Sequence, residues 1–399
     1  RRELWLLLTL AGIQFTHILD FMIMMPLGPQ FTRIFAITDA QFGLLVSAYT
    51  FAAGASGLLA STYIDRFDRK KLLLVLYVLF ALATLACGLA PTYGSLMVAR
   101  VLAGSFGGVL SALCQTIVGD AIPFERRGRA MGIVMTSFSV STVAGVPLGL
   151  FLAAHLSWHA PFIGIAALSG LFALFAAWTL PTMDAHLRVA HRASAWQGIQ
   201  QVLGDRNHQK AFVFSALVMF AGFTVIPYIT IAMQANAGLL QEQVPYLYLC
   251  GGLFTLFTAR LFGRMADRRG KVWTFRRLAV AVVVPMVGIT LLRDVPLWAA
   301  LVVSTLFFVL MSGRMIPGMA ILTSAAQPQP QLRGTFMTLN ASVQSAAMGL
   351  AAFVGGLIIQ RDAQGLVERY WLAALLGAVA SLLAAWMAGK LRLHGAQAG

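Results

Sequence analysis

Carboxylates are scarce in this 399-residue chain, which has 14 Asp and Glu against 29 Lys and Arg. Charged residues make up only 11% and hydrophobic residues 59%, whereas a soluble domain is about 25% charged. A soluble globular protein is therefore excluded. Cysteine is also sparse. Cys87, Cys114 and Cys250 all fall inside apolar runs, with neither pairing nor metal-ligand spacing, and read as small core residues. No Gly-x-x-x-x-Gly-Lys-Ser/Thr loop occurs, which excludes ATP-driven transport by this chain alone. No catalytic triad or metal cluster emerges, so neither an enzyme nor a cofactor is expected. The net charge of +15 does not point to nucleic acid, because the basic residues sit in short loops between apolar runs rather than on one polar face. No cleavable signal peptide is expected.

Long apolar runs dominate. A helix needs about 20 apolar residues to cross the hydrocarbon core. Twelve spans are expected, at roughly 4–28, 40–63, 72–92, 95–119, 129–154, 159–180, 209–233, 243–262, 273–293, 296–324, 334–360 and 369–390. One set of loops carries nearly all the cations, including Arg66, Arg69, Lys70, Lys71, Arg126, Arg127, Arg264, Arg268, Arg269 and Lys271. The opposite set has only Arg33, Arg293, Arg361 and Arg369. By the positive-inside rule the first set and both termini are cytoplasmic, in a cell (inner) membrane. The longest polar connection falls between the sixth and seventh spans. It divides the chain into a six-helix half (1–180), a linker (181–208) and a second six-helix half (209–399).

The halves repeat one another. Ser61-Thr-Tyr-Ile-Asp65-Arg66-Phe-Asp68-Arg69-Lys70 follows the second span, and Gly263-Arg-Met-Ala-Asp267-Arg268-Arg269-Gly270-Lys271 follows the eighth. Arg100-Val-Leu-Ala-Gly104 in the fourth span returns as Arg314-Met-Ile-Pro-Gly318 in the tenth. Parallel repeats of six spans are the layout of secondary transporters that bind substrate between halves. The expected fold class is an all-α membrane protein with twelve transmembrane helices in two pseudo-symmetric halves.

On these motifs the chain resembles the major facilitator superfamily along essentially its whole length. Gly263 to Lys271 is similar to that family's loop signature, Gly-x-x-x-Asp-Arg-x-Gly-Arg/Lys. The first copy departs from it, with Ser61 and Asp68 in place of the two glycines. Gly145-Val-Pro147-Leu-Gly149 resembles a shortened form of the antiporter motif of twelve-span drug and sugar exporters. Ser141 stands where that motif has its first glycine. The resemblance implies that Asp65, Arg66, Arg69, Asp267 and Arg268 latch the cytoplasmic side, and that Gly145, Pro147 and Gly149 form a hinge against the other half. The competing readings are a charge cluster that fixes orientation and ordinary small-residue packing.

Asp20 is the only carboxylate placed in the interior of a span, and an ionisable group there costs at least about 2.5–3.5 kcal/mol. Arg100 falls at similar depth in the fourth span, and a buried arginine needs a partner. The two are expected to form a proton-sensitive pair, since loss of water favours the neutral acid and a nearby guanidinium favours the carboxylate. A static pair that positions helices is the alternative. His17 lies one turn before Asp20 and is expected to share the proton or bind substrate, with a bond to a neighbouring helix as the competing role. Gln14, Phe21, Gln115, Arg314, Asn340 and Gln344 are the expected substrate-facing residues, with helix–helix contacts as the competing role. The function expected is proton-coupled export of small amphipathic or sugar-like compounds by a monomer, its partners being substrate, protons and the bilayer. The alternative is an importer or organic-anion carrier that uses Arg100 and Arg314.

Overall fold

A computed structural model describes residues 2–64, 67–122, 127–183, 195–325 and 330–393. Its helices are α1 (Arg2–Ile23), α2 (Gly28–Ile34), α3 (Asp39–Tyr63), α4 (Arg69–Gly88), α5 (Tyr93–Ala121), α6 (Arg127–Val140), α7 (Val146–His155), α8 (His159–Thr179) and α9 (Ala195–Gly204). They continue as α10 (Arg206–Phe223), α11 (Ile229–Ala235), α12 (Val244–Arg269), α13 (Lys271–Ala281), α14 (Val283–Thr290), α15 (Leu297–Ala325), α16 (Pro330–Ile358) and α17 (Tyr370–Ala388). Among the described residues, twelve stretches are long and apolar enough to span a membrane. The protein is thus an all-α membrane protein of two six-helix repeats.

The breaks in the spans follow from local chemistry. The first apolar run, expected to reach residue 28, leaves helix at Ile23 and restarts at Gly28. Pro26 and Pro29 lack the N–H that would continue the ladder. Pro227 and Pro285 likewise divide the seventh and ninth spans into α10 with α11 and α13 with α14. The fifth span changes pitch at Ser141–Gly145, one π turn between α6 and α7, and Pro147 lies in the first turn of α7.

The chain packs into two compact units, Arg1–Met24 with Ala48–Ala195, and Met25–Ser47 with Trp196–Gly399. Met25–Ser47 therefore packs with the second set of helices although it precedes them by half the chain. Within that second unit, Ser47 donates to the Gly349 carbonyl at 2.7 Å and Tyr228 donates to the Ala352 carbonyl. Arg361 forms a two-point pair with Asp39, Nε to Oδ2 at 2.9 Å and Nη2 to Oδ1 at 2.8 Å. Arg361 lies on β1 (Gln360–Arg361), antiparallel to β2 (Val367–Glu368). The Asn236 side chain clamps β2 by accepting from the Val367 amide at 2.7 Å and donating to its carbonyl at 2.8 Å.

The linker region contains α9. Its Val202 is buried in the second unit's core with Phe212 and Phe336, while Trp196 stays exposed.

Candidate functional site

In the first unit, α1 and α5 bring two charges together. Asp20 and Arg100 are fully buried, with Arg100 Nη1 3.1 Å from Asp20 Oδ2. The same nitrogen lies 3.3 Å from the Asp20 carbonyl oxygen. The expected partnership is what the geometry holds. Among the described residues, Asp20 Oδ1 and Arg100 Nε and Nη2 have no close hydrogen-bond partner, and the polar side chains of Thr84 and Cys87 interact with the pair.

A glycine stripe makes this geometry attainable. A Cβ on Gly104 would collide with the Tyr49 carbonyl and lie 2.9 Å from its Cα. On Gly108 it would collide with the Ala53 carbonyl in the same way. Glycines four apart let α5 approach α3 backbone to backbone. That approach sets the Tyr49 ring 4.3 Å from the Arg100 guanidinium carbon, a cation–π contact strengthened by the absence of water. Tyr49 also stacks on Phe21 at 5.3 Å and faces His17 at 6.4 Å between ring centroids. Thr84 and Cys87 of α4, both buried, border the charged pair.

Tyr49, Thr84 and Cys87 escaped the sequence reading, because nothing separates them from other residues of apolar runs. The four-residue step from Gly104 to Gly108 was the available signal, since it marks the face where another helix comes closest.

His17 is half-buried beside Tyr49 and Phe80, and its Nδ1 has no partner. Gln14 is buried and donates to Ser111 of α5 at 3.5 Å. Phe21 joins the site through Tyr49. Gln115 is exposed.

The second unit holds a partial copy. Arg314 is buried and donates through Nη2 to the Val218 carbonyl at 2.8 Å, as Arg100 does to the Asp20 carbonyl. Its other acceptors are Ser381 Oγ at 3.2 Å and the Met311 sulfur at 2.8 and 3.2 Å. None is a carboxylate. Asn340 is buried on α16 with Oδ1 unpartnered, and Gln344, one turn on, is half-buried. These two are not bonded to Arg314.

The motif loops divide. Asp65 and Arg66 lie outside the described residues. Arg69 is buried and donates to the Ile64 carbonyl at 3.4 Å. Asp68, the departure from the loop signature, caps α4 by accepting from the Lys71 amide at 3.0 Å and also receives the Met183 amide at 3.3 Å. In the second loop Gly270 has φ +92°, a conformation that favours glycine, between α12 and α13. Asp267 and Arg268 are exposed, and Lys271 donates to Ser324 at 3.0 Å. Gly145 and Gly149 pack on Leu19 and Ile23 of α1. A Cβ at either glycine would thus meet side chains of the first unit.

The family model described as Major Facilitator Superfamily matches residues 10–352. The chain belongs to the major facilitator superfamily. Among its relatives is the uncharacterized MFS-type transporter YtbD of Bacillus subtilis, 25% identical over 346 residues, spanning 86% of this chain and 85% of that protein. Multidrug resistance protein 3 of Bacillus subtilis is 24% identical over 377 residues, spanning 80% and 72%. Two solved structures share the fold. The D-xylose-proton symporter has TM-score 0.78 at 16% identity, covering 96% of both chains. A bacterial homolog of the human lysosomal transporter Spinster has TM-score 0.73 at 16% identity, covering 99% of both. As a superfamily member, this chain is a membrane-embedded transporter of small molecules.

Proposed function

We propose that this superfamily member is a proton-coupled secondary active exporter of small amphipathic or sugar-like compounds, working as a monomer by alternating access with Asp20 as its protonation site. The observation that carries the reading is the fully buried Asp20–Arg100 pair, in which one carboxylate oxygen is engaged by the guanidinium and the other has no close partner among the described residues. A proton added at Oδ1 neutralises the acid and leaves Arg100 uncompensated. Either a substrate group or a rearrangement must then respond. Tyr49 and His17 line the same cluster and tune when the proton is held. Likeness to Multidrug resistance protein 3 supports the outward direction. The concentration of Arg and Lys on one set of loops supports a cytoplasmic-membrane location with both termini inside.

Arg314 favours a second reading, a proton-coupled importer or organic-anion carrier. It is a buried cation without a carboxylate among its bonds, so the second unit has a positive centre that an anionic substrate would balance. The D-xylose-proton symporter has the same fold, which supports symport as the second reading's mode of coupling.

The test is flux in proteoliposomes under imposed pH gradients, with a panel of lipophilic cations, sugars and organic anions. Export predicts substrate moving against the proton gradient. Cotransport with protons, confined to the anions, supports the second reading instead.

A further inference from the structure

The C-terminal end of α17 combines an apolar groove with two cations. Val379, Leu382, Leu383 and Trp386 line a shallow groove of about 450 Å³. Their spacing puts them on one helix face, and all four are exposed. Lys390, one turn beyond Trp386, is exposed and has its Nζ 5.3 Å from the indole centroid. Arg276 reaches the same turn from α13, its Nε donating to the Ala385 carbonyl at 2.9 Å. Its Nη2 stands over Gly389, where a Cβ would collide with it. A side chain at 389 would push the guanidinium away, so glycine is what lets the cation sit on the helix end. Neither Arg276 nor Lys390 pairs with a carboxylate among the described residues, and the two Nη groups of Arg276 have no partner there.

We propose that this place is a binding site for one anionic phospholipid. An acyl chain lies along the groove, and the phosphate sits between Lys390 and Arg276. A free anion would use the cations and leave the groove without purpose. A zwitterionic lipid offers a phosphate too, but its own ammonium offsets that charge. An anionic amphiphile fits the groove and leaves its whole charge to the two cations. Trp386 sits at the junction, where an indole has an apolar body for the chain and a polar edge for the headgroup. The site belongs to the second unit and does not depend on the proposed coupling.

Native mass spectrometry of the full chain, loaded with phosphatidylglycerol or phosphatidylcholine of matched acyl chains, tests this. The wild type is expected to retain phosphatidylglycerol in preference. Lys390→Gln is expected to cut that retention by roughly fivefold, the contribution of one interfacial cation. Lys390→Arg is expected to restore it. Lys390 is exposed, so the thermal midpoint of Lys390→Gln should stay at the wild-type value. Leu383→Trp, which fills the groove, should reduce retention of phosphatidylglycerol with both cations in place. Equal retention of the two lipids by the wild type, or unchanged retention in Lys390→Gln, overturns the proposal. Displacement of phosphatidylglycerol by excess inorganic phosphate also overturns it, by showing a site for a free anion.

Discussion

Arg100 holds Asp20 twice, at its carboxylate and at its own backbone carbonyl. The second bond ties the guanidinium to the backbone of α1 whatever the protonation of the acid. Proton loading can thus change the charge of the pair without releasing the helix. Arg314 makes a comparable backbone bond, to Val218, and its other bonds go to Ser381 and Met311 rather than to an acid. The repeat has kept the structural contact in both units and the acid in one.

This difference orders two variants. Arg100→Gln leaves a buried acid beside Tyr49 without its cation, and breaking a buried pair costs about 3–5 kcal/mol. Arg314→Gln leaves neutral acceptors, at about 1–3 kcal/mol. Thermal unfolding in detergent should therefore rank Arg100→Gln below Arg314→Gln. The double change Asp20→Asn with Arg100→Gln should recover part of the first loss. The reverse ranking would remove the pair from the account.

The glycine stripe gives a sharper test of packing. Gly104→Ala and Gly108→Ala meet α3 backbone, which cannot rotate away. Overpacking of this kind typically costs about 1–3 kcal/mol. Gly94→Ala, where a Cβ would meet nothing within 4 Å, is the control and should leave the thermal midpoint near wild type. Equal effects at all three positions would show that α5 does not need close approach.

The Asp39–Arg361 pair should contribute modestly and without pH dependence from the arginine. Arg361 is 39% exposed, so screening holds the coupling to about 0.2–1 kcal/mol in a double-mutant cycle. Hydrogen bonding to Asp39 raises the Arg361 pKa above its ordinary value. A raised cation pKa contributes stability that is complete below the unfolded value and is lost only as pH rises through the folded one. For Arg361 both lie well above neutral pH, outside the range tested. The destabilisation by Arg361→Ala should accordingly be constant from about pH 6 to about pH 10. A destabilisation that grows or vanishes within that window would contradict it.

The spans and the central pair were legible because each rests on a short-range or exclusive signal. Apolar runs of membrane length need no tertiary information, and Asp20 had one plausible buried partner. The proline breaks were less legible, since Pro26 and Pro227 sit inside runs whose hydropathy never falls. Tyr49 was invisible because its role depends on Gly104 and Gly108 drawing α3 against α5. Arg361 and Asp39 lie 322 residues apart, and no spacing rule selects that partner. The placement of Met25–Ser47 with the second unit is equally a product of tertiary packing, through Tyr228, Ser47 and Asp39. Asp68 read as a blemish in a motif, yet its capping of α4 is a local rule that could have been applied.

The central claim is that Asp20 carries the coupled proton. Its most direct test is proton release on substrate addition to the purified chain, wild type against Asp20→Asn. The account predicts that the wild type releases protons on binding, while Asp20→Asn still binds and releases none. Equal proton release from both, or pH-driven flux undiminished in Asp20→Asn, would contradict it and leave Asp20 as a structural partner of Arg100.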